Sequence, residues 1–585
     1  MGLFIYSPSL QAPFQLDDYL VIVDNPAVYN FTNLKAMWNY DPSRFLTHSS
    51  FALNYYFDQL NVRGYHALNL IIHLAVVLWV YMLSKLTIAP LLGRQRGEWL
   101  SIFGALIFLT HPIQTSAVTY VAQRSSLLLA FFYLSSLACY VYAHQNNSRK
   151  FYMLSLLAAF LGLFSKPTIV TLPLAIIVYE ICFLVKRKDA PRAMLKVIPF
   201  LAIAALAPVL LILWRYKILD LTQLANITRE TATLTRSEYF FTQLNVLMTY
   251  IRLLFLPIYQ NLDYDYAIAK SLFSMPTIIS FMGLLLLLGL GIRLYSKQRL
   301  IAVGIFWFFI TLSLESSFFP ITDVIFEHRL YLPMVGFVFL LPSLLEFFLK
   351  KEKIVSIVLI GIIIGYSYLS FERNRLWSDK IVFLKDIVAK SPQKARVHNN
   401  LGLAYYERNQ IDLAMDSYNT ALKLDPDYPE GYCNRGQIYQ DQGKYSLALK
   451  DFQRALEIRP VYAPVYSNRG YIYGEQGRYE LAFRDFEQAL KLNPYYVNAY
   501  NNRGIIYQKR KQYPLALKDF NQAIDINPRF ADAYNNRAIV YIGMEDLSGA
   551  IKDFQRAIEL NPNYSLAKKN LEQAIRLNND QRHKQ

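Results

Sequence analysis

Val461–Pro494, VYAPVYSNRGYIYGEQGRYELAFRDFEQALKLNP, is one unit of a pattern that recurs every 34 residues towards the end of the chain. Its closing proline is one of a series: Pro426, Pro460, Pro494, Pro528 and Pro562. The same phasing aligns Asn400, Asn434, Asn468, Asn502 and Asn536, and likewise Tyr405, Tyr439, Tyr473, Tyr507 and Tyr541. Small residues recur at two further phases. One holds Gly402, Gly436, Gly470, Gly504 and Ala538, the other Ala414, Ala448, Ala482, Ala516 and Ala550. Each unit reads as a helical hairpin with small residues at the contact between its two helices. Such a hairpin cannot bury its apolar face alone, so about five of them, from Ala395 to Tyr564, stack into a curved superhelix.

A 34-residue period with this spacing is the tetratricopeptide signature. Residues 565–585 supply a capping helix, Ser565 to Leu577, and a tail. Pro392 stands one period before Pro426, so residues 372–394 read as a linker with a degenerate half repeat, Trp377 to Lys390, that joins the array stiffly to what precedes it.

What precedes it is apolar. The chain of 585 residues is 54% hydrophobic and 15% aromatic, with a mean hydropathy of +0.19, and its long apolar runs all lie before Phe371. That excludes an ordinary soluble enzyme. The net charge of +17 comes without a nucleic-acid motif and fits basic residues flanking membrane spans. Three scattered cysteines, Cys139, Cys182 and Cys433, make neither a disulfide framework nor a metal site. Runs near residues 66–84, 99–113, 125–143, 152–165, 169–185, 197–214, 273–292, 300–317, 331–349 and 354–371 predict ten crossings. The expected fold class is all-α: a polytopic membrane domain over residues 1–371, then the solenoid.

Basic clusters orient the spans. Lys85, Arg94 and Arg96; Arg149 and Lys150; Lys186 to Lys188, Arg192 and Lys196; Lys297 and Arg299; and Lys350, Lys351 and Lys353 occupy alternate loops, which become the cytoplasmic ones. The alternation requires Tyr239 to Pro257, with its Gln243, Asn245 and Arg252, to lie along the outer interface. The segment up to about Tyr65 and the repeats then share the non-cytoplasmic side. Met1 to Leu10 offers no signal peptide, so the expectation is that a first transmembrane helix is truncated.

On that outer side the run FQLDDYLVIVDNP, Phe14 to Pro26, carries adjacent carboxylates Asp17 and Asp18. An isolated Asp-Asp is most often a turn or cap. Here the same loops also hold Arg44, His48, Arg63, His66, His111, Arg124, Lys166, Glu327, His328 and Arg329, several at span ends where ionisable groups are costly. Basic residues at span ends often only snorkel to headgroups. Together with the acids they suit transfer from a phosphate-linked donor, in which a carboxylate takes the acceptor's proton and cations offset the charge of the leaving phosphate.

With FALNYYF (Phe51 to Phe57), GYHALNLIIH (Gly64 to His73), HPIQTSAVTYVAQR (His111 to Arg124), LFSKPT (Leu163 to Thr168), NLDYDY (Asn261 to Tyr266) and EHRLYLPMVGF (Glu327 to Phe337), that run resembles one family in order along nearly the whole chain. It is similar to bacterial relatives of the transmembrane and tetratricopeptide-repeat protein O-mannosyltransferases, within the GT-C glycosyltransferase superfamily. The resemblance implies about eleven membrane helices, a polyprenyl- or dolichyl-phosphate-linked sugar donor and an acidic motif in the first external loop, which Asp17 and Asp18 occupy. Ser116 and Ser126 depart from it, standing where many relatives carry acids.

The expectations that follow are specific. A hexose, mannose by resemblance, passes from the lipid phosphate to Ser or Thr of exported protein, at the non-cytoplasmic face of a bacterial inner membrane. Asp17 is the catalytic base with Asp18 positioning the acceptor, or the reverse; Arg124, Lys166, Arg329 and, more weakly, His111 bind the donor phosphate. Asn400, Asn434, Asn468, Asn502 and Asn536 grip an acceptor polypeptide in the groove, since a carboxamide offers donor and acceptor to any peptide bond; the same asparagines serve equally well as repeat-folding residues. The neighbouring Arg435, Arg469, Arg503 and Arg537 bind acidic side chains or are solvated. No ligand spacing argues for a divalent metal, although the carboxylates leave one possible, and nucleic acid is not an expected partner. The rival readings are a membrane-anchored repeat scaffold without catalysis and a lipid-linked sugar transferase acting on cell-envelope glycan.

Overall fold

The computed structural model describes residues 1–184, 194–216 and 234–584. Among the described residues the chain is all-helical and divides into two compact units, Met1–Ser391 and Pro392–Gln585. The cationic loop 186–192 lies outside the described residues.

The first unit is a bundle of apolar helices. Five are long and apolar enough to cross a bilayer: Val62–Leu92, Val121–Gln145, Pro167–Leu184, Met275–Leu294 and Glu352–Trp377. Arg94–Thr110 and Pro112–Val118 together make a sixth, bent by 50° at the His111-Pro112 step, where proline removes a helix N–H and disfavours helical backbone before it. Ile198–Val209, Arg299–Leu312 and Met334–Leu349 are shorter apolar helices. Against the ten crossings expected, five or six segments among the described residues are of full length. The span expected at 152–165 is the 14-residue helix Arg149–Gly162, about 21 Å at 1.5 Å per residue, short of a bilayer core of about 30 Å.

Two close approaches show why small residues stand where they do. A Cβ at Gly97 would meet Ala89 Cα at 2.4 Å, so glycine lets Arg94–Thr110 fold back against Val62–Leu92. Gly304 and Gly336 face each other across Arg299–Leu312 and Met334–Leu349, each Cβ position lying 2.6 Å from the other's carbonyl oxygen. This is small-residue packing of the kind that joins helices where hydrophobic exclusion is weak. The amphipathic segment expected at the interface forms the helix Arg236–Phe255, closed by a Thr235/Glu238 capping box. Its buried face is pinned to the 313–330 segment by Tyr239, Gln243 and Tyr250, which donate to the carbonyls of Glu315, Val324 and Phe326.

Lys380–Lys390, expected as half of a degenerate repeat, packs with the first unit instead. Trp377 stacks on Phe383 at 4.1 Å, Lys390 Nζ donates to Gln260 O at 2.8 Å, and Ser391 Oγ is shared by Asn261 and Asp263.

The second unit contains five helical hairpins, from Ala395–Glu407 with Ile411–Leu424 to Ala531–Gly543 with Leu547–Leu560, and the terminal helix Ser565–Lys584. The small positions on the first helices receive rings from the second. A Cβ at Gly402, Gly436, Gly470 or Gly504 would meet Tyr418, Phe452, Phe486 or Phe520 within 3.0 Å. Arg435, Arg469, Arg503 and Arg537 do bind acidic side chains, but those of their own hairpins. Each donates in a fork to both oxygens of an aspartate on the second helix of its own hairpin: Asp451, Asp485, Asp519 and Asp553, at 2.6–2.9 Å. The first hairpin has Leu401 and Ser417 in place of that pair, with the Ser417 hydroxyl donating to Leu413 O. Arg503→Ala, which strands Asp519 with its side chain 4% exposed, is therefore expected to cost about 1–3 kcal/mol. Hydrogen exchange of Val497–Ile526 in the full chain should accelerate by the matching factor; unchanged exchange would show that the pair is ornamental.

Candidate functional site

The two adjacent acids of the first loop have opposite environments. Asp18 is buried, its Oδ2 accepting from Gln15 N–H at 2.8 Å and its Oδ1 from Ala122 N–H at 2.6 Å. Burial pushes its carboxyl up to about 8, against the pull of those two N–H groups. Asp17 is exposed; its backbone N–H donates to Tyr120 Oη at 2.9 Å, and its carboxylate also engages that hydroxyl. Leu16, immediately before it, has φ +38°, in a region that residues with a Cβ rarely adopt, and such strain concentrates at functional sites. Sequence reasoning passed over a third carboxylate, the exposed Asp24 at the end of the same run, which lies within electrostatic range of Tyr40 alongside Asp41 and Arg44.

The second half of the site is a buried charge cluster. Lys166 Nζ lies 2.8 Å from Glu315 Oε1 and 3.3 Å from Ser126 Oγ. Thr168 Oγ1 donates to the same Glu315 oxygen at 3.1 Å, and Arg329 Nε is 3.7 Å from Oε2. Arg329 is aimed by its Nη atoms, which donate to Val324 O and Asp323 O. These side chains, with His328 and Tyr331, line a cavity of about 10 Å³, the room of a single water. Burial alone would raise Glu315; the charges of Lys166 and Arg329 outweigh it and hold the carboxyl below its ordinary range. Glu315 thus sits between two cations, and Arg329 also feels the charge of Asp323.

Glu315 is the residue that sequence reading missed. Its signal was a lone acid three residues past the apolar helix Arg299–Leu312, where an ionisable group is costly unless it has work to do. With Ser126 taking only the long contact to Lys166, Glu315 is the acid that compensates this cluster.

One main-chain and one side-chain hydrogen bond join the two halves. Leu46 N–H donates to Phe164 O at 2.9 Å and Thr47 Oγ1 to Ser165 O at 3.4 Å, which docks the first loop beside Lys166. On the other side, Ala122 receives Asp18 and Ser126, four residues later, receives Lys166.

Two expected phosphate binders are committed elsewhere. Arg124 is wholly buried, donates to Asn69 Oδ1, Ser50 Oγ, Asn54 Oδ1 and Tyr65 O, and lies over the Phe51 ring at 4.5 Å. His111 caps the bend, Nδ1 accepting from Ile113 N–H while Nε2 meets Leu254 O at 3.0 Å. Both hold the scaffold together, because a guanidinium or imidazole removed from water must spend its hydrogen bonds on protein. Glu327 is likewise engaged, accepting from Asn261 N, Tyr264 Oη and Gln260 Nε2.

His328 is buried beside Lys166 and Arg329, and burial first, then those charges with Arg44, pushes its imidazole well below its ordinary value. The fold keeps it neutral while an unfolded chain binds a proton near 6.5, so its stabilisation is present above about pH 6.5 and is lost as pH falls, by up to about 1.4 kcal/mol per unit. Acidification from pH 7.5 to 5.5 is expected to lower the Tm of the wild type more than that of His328→Gln. Equal drops would remove His328 from the account.

In the second unit the five asparagines are half-buried and partly used in stitching the repeats. Asn434 Nδ2 donates to Asn399 Oδ1, Asn502 Nδ2 to Ser467 Oγ and Asn536 Nδ2 to Asn501 Oδ1, each 35 residues back, at 2.9–3.1 Å. Cys433 occupies the corresponding acceptor position for Asn468.

Comparison with known proteins matches both units. The model described as "Tetratricopeptide repeat" covers residues 429–462, 463–496, 497–530 and 531–564, and that described as "TPR repeat" covers 402–443. Protein O-mannosyl-transferase F38B6.6 of Caenorhabditis elegans is 26% identical over 455 residues, 74% of this chain and 62% of the relative. Human Protein O-mannosyl-transferase TMTC3 is 25% identical over 471 residues, 72% of this chain and 50% of the relative. This chain thus spans between half and two thirds of the length of these relatives. Among solved structures, the tetratricopeptide protein YrrB, described as having an unusual peptide-binding site, aligns at 22% identity over 32% of this chain and 96% of its own, with a TM-score of 0.23. The chain carries tetratricopeptide repeats and is similar to protein O-mannosyl-transferases over about three quarters of its length, and its described residues are all-helical with several membrane-type spans.

Proposed function

We propose that the protein is a membrane glycosyltransferase that moves a hexose from a polyprenyl- or dolichyl-phosphate carrier to Ser or Thr of a polypeptide held by the repeats. Mannose is the sugar named for its relatives. The observation that carries the reading is the pair of buried cations Lys166 and Arg329 held on the Glu315 carboxylate, in place before any ligand arrives.

Asp17 takes the proton from the acceptor hydroxyl, whose oxygen attacks the anomeric carbon as the bond from that carbon to the phosphate oxygen breaks. The leaving lipid phosphate gains one negative charge, and Lys166 and Arg329 offset it in a site with little water. Glu315 keeps the two cations charged and in place beforehand. Asp18 anchors the loop that presents Asp17, so the roles within the pair follow from burial. Arg124 and His111 brace the scaffold through their hydrogen bonds.

The repeats present the acceptor. One amide N–H of Asn434, Asn502 and Asn536 is spent between repeats, while the carboxamide oxygens of Asn434 and Asn502 make no side-chain hydrogen bond among the described residues and offer an acceptor to a peptide N–H. Asn434→Ala with Asn502→Ala is expected to raise KM for a long acceptor about tenfold and to leave kcat unchanged. An unchanged KM would confine the asparagines to folding the repeats.

The direct test supplies the purified full chain in lipid with polyprenyl-phosphate mannose and a Ser/Thr-rich polypeptide, and reads hexose on hydroxyl side chains by mass spectrometry. Absence of transfer from this and other lipid-phosphate hexoses to polypeptide would overturn the proposal. Transfer to a glycan fragment alone would favour the envelope-glycan reading.

A further inference from the structure

The first unit has a second built cavity, of about 350 Å³, at the N-terminal end of the helix Arg149–Gly162. Lys166 lies four residues beyond the other end of that helix, about 21 Å away along its axis, so this cavity is separate from the charge cluster. His144, Arg149 and Lys196 bring three basic side chains to its lining from three segments. Among the described residues neither Arg149 nor Lys196 has a carboxylate within ion-pair distance. Ser148 stands at the helix cap position but its hydroxyl makes no capping bond, which leaves both the hydroxyl and the first helix N–H groups unspent. Behind the wall, the fully buried Glu180 accepts from Tyr140 Oη at 2.5 Å and lies 3.5 Å from His144 Nδ1.

Cations, a free hydroxyl and open helix N–H groups converging on one cavity are the donor set for a phosphate. The surroundings indicate where that phosphate comes from. Leu195, at the mouth, is 64% exposed, and apolar faces run away from it on two helices. Met153 and Leu157 are 62% and 53% exposed on one, Ile198 and Leu201 54% and 50% on the next. In a membrane protein such faces meet acyl chains, and a basic pocket between helices that opens onto them receives a lipid headgroup.

We propose that this cavity binds the phosphate headgroup of an anionic membrane lipid, with Arg149, Lys196 and the Ser148 cap as its ligands and the exposed faces of Arg149–Gly162 and Ile198–Val209 as the track for its chains. The site is independent of the transfer reaction and stands whether or not sugar transfer is found.

The test is native mass spectrometry of the full chain released from nanodiscs containing phosphatidylglycerol, phosphatidylcholine or neither with inorganic phosphate added. One phosphatidylglycerol is expected to be retained, phosphatidylcholine to be lost, and millimolar inorganic phosphate not to displace the lipid. Arg149→Gln with Lys196→Gln should reduce retention about tenfold or more, whereas Lys150→Gln, equally exposed but outside the cavity, should not. Equal retention of the two lipids overturns the proposal, as does an equal effect of Lys150→Gln or displacement by inorganic phosphate alone. Because all three side chains point to solvent, loss of fold does not stand in for loss of the site, and an unchanged melting curve confirms it.

Discussion

Asp17→Asn is expected to slow sugar transfer by about 10²–10⁴-fold, the range a positioned general base supplies, while stability moves by no more than about 0.5 kcal/mol. The contrast follows from exposure. The backbone N–H of Asp17 bonds Tyr120 Oη and is kept by the asparagine, which loses the basic oxygen and weakens the surface side-chain contact to that hydroxyl. Asp18→Asn behaves oppositely. Both oxygens of Asp18 accept from N–H groups, and an amide nitrogen in place of either sets donor against donor at a cost of about 1–3 kcal/mol. Its activity should fall together with its melting temperature and recover in part on cooling, whereas that of Asp17→Asn should not. Asp24→Asn is the comparison within the same loop. Loss of activity there with a fully active Asp17→Asn would move the base to Asp24 and sink the assignment made here.

Glu315→Ala is expected to destabilise the membrane unit by about 3–5 kcal/mol and to abolish transfer, the largest effect on stability of any single change considered. Removing one member of a buried ion pair strands the others in a medium that solvates them poorly, and here Lys166 and Arg329 both lose the carboxylate between them. Glu315→Leu combined with Lys166→Met removes charge from both sides and should recover more than half of the lost stability, because a packed apolar pair avoids the desolvation penalty. Transfer should stay absent in that double variant, since Lys166 is then missing from the phosphate site. A stable Glu315→Ala protein would mean that Lys166 finds another partner or water, and the cluster would not be the pre-charged site proposed. A stable and active double variant would remove Lys166 from the mechanism.

The 34-residue period already contained the hairpins, the proline turns and the small-residue contacts. Those features depend on neighbours in sequence and on one repeat meeting the next, so Gly436 beneath Phe452 or Ala482 in the hairpin contact can be read off a phase. Apolar runs likewise announced the membrane helices, but not their lengths. Pro112 bends one helix by 50°, and Arg149–Gly162 closes after 14 residues, because breaks are set by local backbone chemistry that a hydropathy average passes over. Lys166 and Arg329 were legible as cations at span ends. Nothing in the pattern separated them from Arg124, whose guanidinium is spent on Asn69, Ser50, Asn54 and Tyr65.

By itself, then, the sequence determined an all-helical chain with an apolar bundle and a repeat array, and it marked out a small set of acids and bases from which a transfer site would be drawn. Periodicity and hydropathy are local sums, and they carry that much. Only the tertiary structure separated Asp17 from Asp18, brought Glu315 to Lys166 from about 150 residues away, and turned the solenoid arginines inward onto aspartates. Whether a charge is exposed, paired or spent depends on which segments pack around it, and burial, which sets its energy, belongs to the fold.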